Sequence, residues 1–202
     1  MAAQHQVQFP GPAGQLHGRV HLPDNEPRGI AVVAHPLPIQ GGTMDNKVVT
    51  TLTNALVTAG YATLRFNFRG VGDSEGVYDE GNGETGDVLA ACDLMRQEFG
   101  DLPLVCAGFS FGGYVQARAA AQTQPVQLVL IGPAVGRFAM PEVAANSVIV
   151  HGDCDEVVPL TALLDWARPQ QLTLHILAGA DHFFHRRLSQ LQQVVSHNLH
   201  RP

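Results

Sequence analysis

The stretch "VCAGFSFGGY", Val105 to Tyr114, carries an apolar run into a serine hemmed by glycines and then into residues able to open a helix. A strand needs no Gly108, and Gly112 and Gly113 would each cost ~1 kcal/mol relative to Ala inside a helix. Local stability therefore does not explain the arrangement. Gly108-Phe109-Ser110-Phe111-Gly112 fits G-x-S-x-G between a strand end and a helix start, the setting that gives the pattern its meaning. The serine is expected on a sharp, strained turn with its hydroxyl above the sheet. Small neighbours keep side chains out of the flanking strand and helix, and the helix N-terminus favours a developing negative charge. The bland alternative is a glycine-rich helix start with no chemistry.

Outward from this turn, short apolar runs alternate with segments of helical period. The runs are "IAVVAH" (30–35), "ATLRFNF" (62–68), "LVCAGF" (104–109), "VQLVLIG" (126–132), "SVIVHG" (147–152) and "LTLHILAG" (172–179), preceded by a hairpin in "QVQF" and "QLHGRVHL". Between them Val49, Leu52 and Leu56, then Val88, Cys92, Met95 and Phe99, and last Phe184, Leu188, Leu191 and Val195 recur every three or four residues, each set one apolar helix face. Continuous rather than alternating apolar runs mark strands buried on both faces, and strand-helix alternation implies right-handed parallel crossovers. The expectation is an α/β protein, a three-layer α/β/α sandwich around a mostly parallel twisted sheet. One domain is expected over residues 1–202, with chemistry in the loops beyond the strands' carboxyl ends.

Composition agrees with a globular chain: 45% of the 202 residues are hydrophobic and 15% charged, the reverse of a disordered balance. The formal net charge of −6 and the lack of any Lys/Arg run give no footprint for nucleic acid. No stretch approaches the ~18 apolar residues of a membrane span, and "MAAQHQVQFPGPAG" has neither the basic nor the apolar region of a signal peptide. Three cysteines, two of them inside apolar runs, suit a reducing compartment. A cytoplasmic location is expected, and oligomeric state is left open.

A serine hydroxyl is a weak nucleophile without a base and a group that orients the base. Both types follow later strands: Asp153-Cys154-Asp155-Glu156 after "SVIVHG", and Asp181-His182-Phe183-Phe184-His185 after "LTLHILAG". Ser, Asp, His is the chain order of a nucleophile-elbow hydrolase. Spacing lets either Asp153 or Asp155 reach an imidazole. His185 competes with His182 but lies further along, beside Arg186 and Arg187. An oxyanion hole needs two backbone N–H groups. The elbow supplies that of Phe111, and in "HPLPIQGG" Pro36 and Pro38 have none, which leaves Leu37 as the second donor.

In "HPLPIQGGTMDNKVV", "RFNFRGVGDSEG", "GFSFGG", "HGDCDEVVP" and "GADHFF", taken in that order, the chain resembles the α/β-hydrolase superfamily over nearly its full length. It is similar to the small lidless serine hydrolases near the dienelactone-hydrolase branch. Dienelactone hydrolase has a cysteine nucleophile where position 110 is serine. The resemblance implies Asp155 as the acid, His182 as the base, and hydrolysis of a small-molecule ester without cofactor or metal. Only Pro133 to Asn146 separates "VLIG" from "SVIV", too short for a cap domain. An open, shallow site is expected, with Leu37, Phe111, Phe138, Met140 and Phe183 as apolar lining and short-acyl esters as substrates.

Several other features read as structural. Gly81-Asn82-Gly83-Glu84-Thr85-Gly86 spells a dinucleotide fingerprint, but it follows acidic "VYDE" rather than a strand, and Glu84 would repel a pyrophosphate. Arg69 is expected to pair with Asp73 or Glu75. Thr43 and Asp45 are read as cap and first-turn acid of the next helix. Asp153 is expected to brace its turn, and Cys154 to be structural. His35, His151 and His200 are read among scattered histidines that pack or face water.

Overall fold

A computed structural model describes residues 3–199; His200 lies outside the described residues. One eight-stranded sheet runs through it in the order β1-β2-β4-β3-β5-β6-β7-β8. The hairpin of β1 (Gln4–Gly11) and β2 (Gly14–His21) closes at Gly11 opposite Gly14, and β2 lies antiparallel to β4 (Tyr61–Phe66). From β4 onward the neighbours β3 (Gly29–Ala34), β5 (Leu104–Phe109), β6 (Gln127–Ile131), β7 (Val148–Gly152) and β8 (Leu174–Leu177) pair in parallel.

Every residue of β3 to β7 is buried, which is why these segments read as unbroken apolar runs; β2, covered on one face, alternates instead. Helices close both faces. Val49, Leu52 and Leu56 of α1 (Lys47–Thr58) join Leu191 and Val195 of α5 (Leu188–Asn198) in one core layer. The other layer gathers Val88, Cys92 and Met95 of α2 (Asn82–Phe99), Val115 and Ala119 of α3 (Phe111–Thr123), and Leu163 of α4 (Leu160–Ala167). Burial of each Leu or Val side chain stabilises the fold by ~1.5–3 kcal/mol relative to exposure. No helix among the described residues is long and apolar enough to cross a membrane.

Four local expectations change. Phe184 is buried but precedes α5 in a left-handed turn (φ 54°), so that helix face begins at Leu188. The cap of α1 is Asn46, whose side chain accepts from the Val48 N–H at 2.8 Å, while Asp45 pairs with Arg65. Arg69 reaches past Asp73 and Glu75 to the buried Asp87 of α2 at 2.7 Å, and its Nη2 also donates to the Gly83 carbonyl at 2.6 Å. Cys154 is exposed rather than packed, its thiol pushed up by a hydrogen bond to Asp153. Glu84 enters α2 as its N3 residue and accepts from the Gly81 N–H at 2.8 Å, closing the helix start where the fingerprint spelling would seat a phosphate.

Candidate active site

Ser110 follows β5 and caps α3 with φ 53° and ψ −115°, a left-handed backbone that costs a non-glycine residue ~1–3 kcal/mol. The fold holds it by the Ser110 N–H donating to the Ile131 carbonyl of β6 at 2.8 Å. A Cβ on Gly108 would stand 2.4 Å from the Gly112 carbonyl carbon, and one on Gly112 only 2.3 Å from the Ala34 oxygen. These two glycines let α3 begin backbone against backbone on both β5 and the end of β3. Gly113, by contrast, has its nearest neighbour at 3.4 Å, ordinary contact distance, so the turn does not require it.

Beyond β7, Asp155 is 6% exposed and fully partnered. Its Oδ1 accepts from the N–H groups of Val157 and Val158 at 2.8 and 2.7 Å, and its Oδ2 lies 2.7 Å from His182 Nδ1. Burial acts to raise the Asp155 carboxyl, but the bonds from His182 and the Val158 N–H outweigh it and hold the group below its ordinary range. A carboxylate accepts only, so the His182 Nδ1 is the donor, and in the neutral ring Nε2 carries the lone pair. Asp153 instead accepts from the Gly179 N–H at 2.6 Å and braces the adjoining loop. His185 is exposed and pairs with Asp181 at 2.7 Å. Behind Asp155 the buried His151 places Nε2 2.9 Å from the Val158 carbonyl and 3.6 Å from Asp155 Oδ2.

The loop after β3 presents Leu37 through a residue that sequence reading left among scattered histidines. His35 is fully buried; its Nε2 accepts from the Phe68 N–H at 3.1 Å, so Nδ1 carries the proton and donates to the Pro36 carbonyl at 2.6 Å. That carbonyl and the Leu37 N–H belong to one planar peptide, so fixing one fixes the other. The signal available beforehand was only a histidine at the end of a buried strand. Burial lowers the His35 pKa from 6.5 to about 4. The unfolded chain therefore takes up this proton first. Stability from His35 is complete above about pH 6.5 and declines toward about pH 4, by up to ~3 kcal/mol. As pH is lowered from 7 to 4, urea midpoints should fall less steeply for His35→Gln than for wild type. Parallel curves would show that the ring does not titrate there. His21, lowered to about 4 chiefly by burial, adds to both curves alike.

Ser110 and His182 line one small open cleft of about 130 Å³ together with Leu37, Gly42, Arg137 and Phe183. Among the described residues no hydrogen bond joins the Ser110 hydroxyl to the ring. Catalytic hydrogen bonds of unliganded sites are often long and tighten on binding. Three expected lining residues lie elsewhere. The Phe111 side chain is fully buried against Phe68 and Tyr78, Phe138 stacks on Tyr114 at 4.8 Å, and Met140 packs on the same core layer; Arg137 and Val157 reach the cleft instead. Larger hollows by Arg28 and Thr58 lie at the C-terminal end of α1, whereas the cleft adjoins Asn46 at its start.

Comparison with known proteins bears on the family and the fold. Residues 25–145, more than half of the chain and including Ser110, match the family described as serine aminopeptidase, S33. The uncharacterized protein RP471 of Rickettsia prowazekii is 32% identical over 95% of this chain and 87% of its own length. Among solved structures, XC6422 of Xanthomonas campestris, an α/β serine hydrolase without lid, superposes with a TM-score of 0.93 at 40% identity, covering 96% of this chain and 93% of that one. An α/β serine hydrolase homologue from Coxiella burnetii gives 0.89 at 38% identity over 99% of each chain. With its parallel sheet, its serine at a strained strand-helix turn and these relatives, the chain belongs to the serine aminopeptidase S33 family of α/β hydrolases, in the small lidless form.

Proposed function

We propose that this hydrolase cleaves small, short-acyl carboxylic esters through an acyl-enzyme on Ser110. The observation that carries the reading is the buried Asp155–His182 pair, which fixes the neutral imidazole as its Nδ1–H tautomer beside the cleft that Ser110 and His182 line. Ser110 attacks the ester carbonyl while His182 Nε2 takes its proton. Asp155 holds the Nδ1–H tautomer and stabilises the imidazolium that forms. The tetrahedral oxyanion is received by the N–H of Phe111, which as the first residue of α3 has no intrahelical acceptor, and by the N–H of Leu37. Gly112 sets the first of these against the end of β3, and His35 fixes the plane of the second. His182 then returns the proton to the leaving alcohol, and water, deprotonated by the same nitrogen, releases the acid.

The cleft volume supports a small acyl group. At ~30 Å³ per water it holds about four, room for a chain of a few carbons. An aminopeptidase substrate would bring a protonated amine, and the cleft counts Arg137 and, among its described lining residues, no carboxylate. That disfavours the peptidase reading. A fluorophosphonate probe tests the proposal: stoichiometric labelling at Ser110, with hydrolysis of activated esters declining as the acyl chain lengthens. An unlabelled Ser110 would mark a binding protein that keeps the fold without turnover.

A further inference from the structure

Against a net charge of −6, the neighbourhood of Ser110 is cationic. Arg137 enters the cleft from the short β6–β7 connection. Next to it, sharing Asn46 and Phe183 as a common wall, lies a second cavity of about 260 Å³ lined by Lys47, His185 and Arg186. Arg137, Lys47 and Arg186 are exposed, and among the described residues none of them forms an ion pair. The acids nearby are already engaged or lie outside both linings: Asp155 is held under His182, Asp181 takes two bonds from His185, Asp45 is held by Arg65, Glu84, which acts on Tyr78 as Arg137 does, caps α2, and the exposed Glu80 and Glu156 line neither cavity.

One unpaired cation in the cleft of the nucleophile and two in the adjoining cavity, with no carboxylate among the described lining residues of either, make a site that gains from a negative charge on what it binds. Resting on the esterase reading above, we propose that the substrates are anionic esters: small esters whose acyl or alcohol part carries a carboxylate or phosphate, seated by Arg137 and drawn in by Lys47 and Arg186. Arg137 comes from the same strand-end rim as the nucleophile, so its planar fork can hold the anion while Ser110 attacks a carbonyl a few bonds away. Since the rest of the surface is net negative, the anion is repelled elsewhere and focused here. The rim charges are solvent-exposed and so act mainly on encounter, an effect that salt screens over about 8–10 Å.

The test compares matched esters that differ only in charge. On the acyl side these are mono-4-nitrophenyl succinate and its methyl ester; on the alcohol side, 4-acetoxybenzoate and its methyl ester. In at least one pair the anion should be preferred about tenfold or more in kcat/KM. Raising NaCl from 0.05 to 0.5 M should lower the rate for the anion and leave that for the methyl ester little changed. Arg137→Gln should collapse the preference, Arg137→Lys should restore part of it, and Lys47→Gln with Arg186→Gln should flatten the salt dependence. Equal rates within both pairs in wild type, or an unchanged preference in Arg137→Gln, overturn the charge assignment while leaving the esterase reading intact. Hydrolysis of none of the four esters overturns both.

Discussion

Ser110→Ala is expected to lower kcat/KM for an activated short-chain ester by on the order of 10³- to 10⁶-fold, with the urea midpoint nearly unmoved. The side chain is small and makes no hydrogen bond to another described side chain, and the turn is held by its backbone N–H on Ile131 and by the close approach of Gly112 to Ala34, neither of which Ala disturbs. Loss of the hydroxyl removes the nucleophile and nothing else. Groups that act as a unit are non-additive. The double variant Ser110→Ala, His182→Ala should therefore be hardly slower than either single variant, with the Phe111 and Leu37 N–H groups supplying what remains. Initial rates on one ester for the three variants give the answer. Near-wild-type turnover in Ser110→Ala would remove the serine from the chemistry, and multiplying effects would mean that His182 serves some other step.

What could be read from the sequence, and what could not, follows from how local the cause is. Leu104–Phe109 was legible to the residue because a strand buried on both faces tolerates only apolar side chains and ends where Gly108 and Ser110 must turn. The elbow glycines carried the same kind of information, since a Cβ at 108 meets backbone four residues on and one at 112 meets the end of the neighbouring strand. Gly113 carried none of its own: the same letter sits in a place with room for a methyl. The misplacements are long-range. Arg69 bypasses near acids for Asp87 because α2 folds back over its loop, a contact set by tertiary packing. Arg137 lines the cleft while Phe138 packs on Phe111 and Tyr114, a division set within the tight turn at Val135–Phe138, and no period governs a turn. His35 escaped notice for a related reason: its meaning lies in Phe68 on one side and Pro36 on the other, and only the first of these is distant in sequence.

Asp155→Asn is expected to cost about 10⁴-fold in kcat, and Asp153→Asn less than tenfold. The difference follows from which atoms each carboxylate serves. Asp155 Oδ1 receives two N–H donors, from Val157 and Val158, and an asparagine there must keep its carbonyl oxygen on that side, since turning the amide would bring NH₂ against both. The NH₂ group is then left facing His182 Nδ1, 2.7 Å away in the native pair. A donor at that position selects the tautomer with its proton on Nε2, the atom that has to accept from Ser110. The fold survives, the ring stays in place, and the base is lost. Asp153 serves the Gly179 N–H and the exposed Cys154 thiol rather than the imidazole, and asparagine keeps the Gly179 bond with its own oxygen. The two variants also separate tautomer from structure: a strong external nucleophile cannot rescue the acylation step of Asp155→Asn, whereas raising pH, which lets hydroxide take the serine proton in place of the imidazole, should recover part of its rate. If Asp153→Asn is instead the slower enzyme, the imidazole takes its orientation from the other side of the loop and the assignment of Asp155 fails.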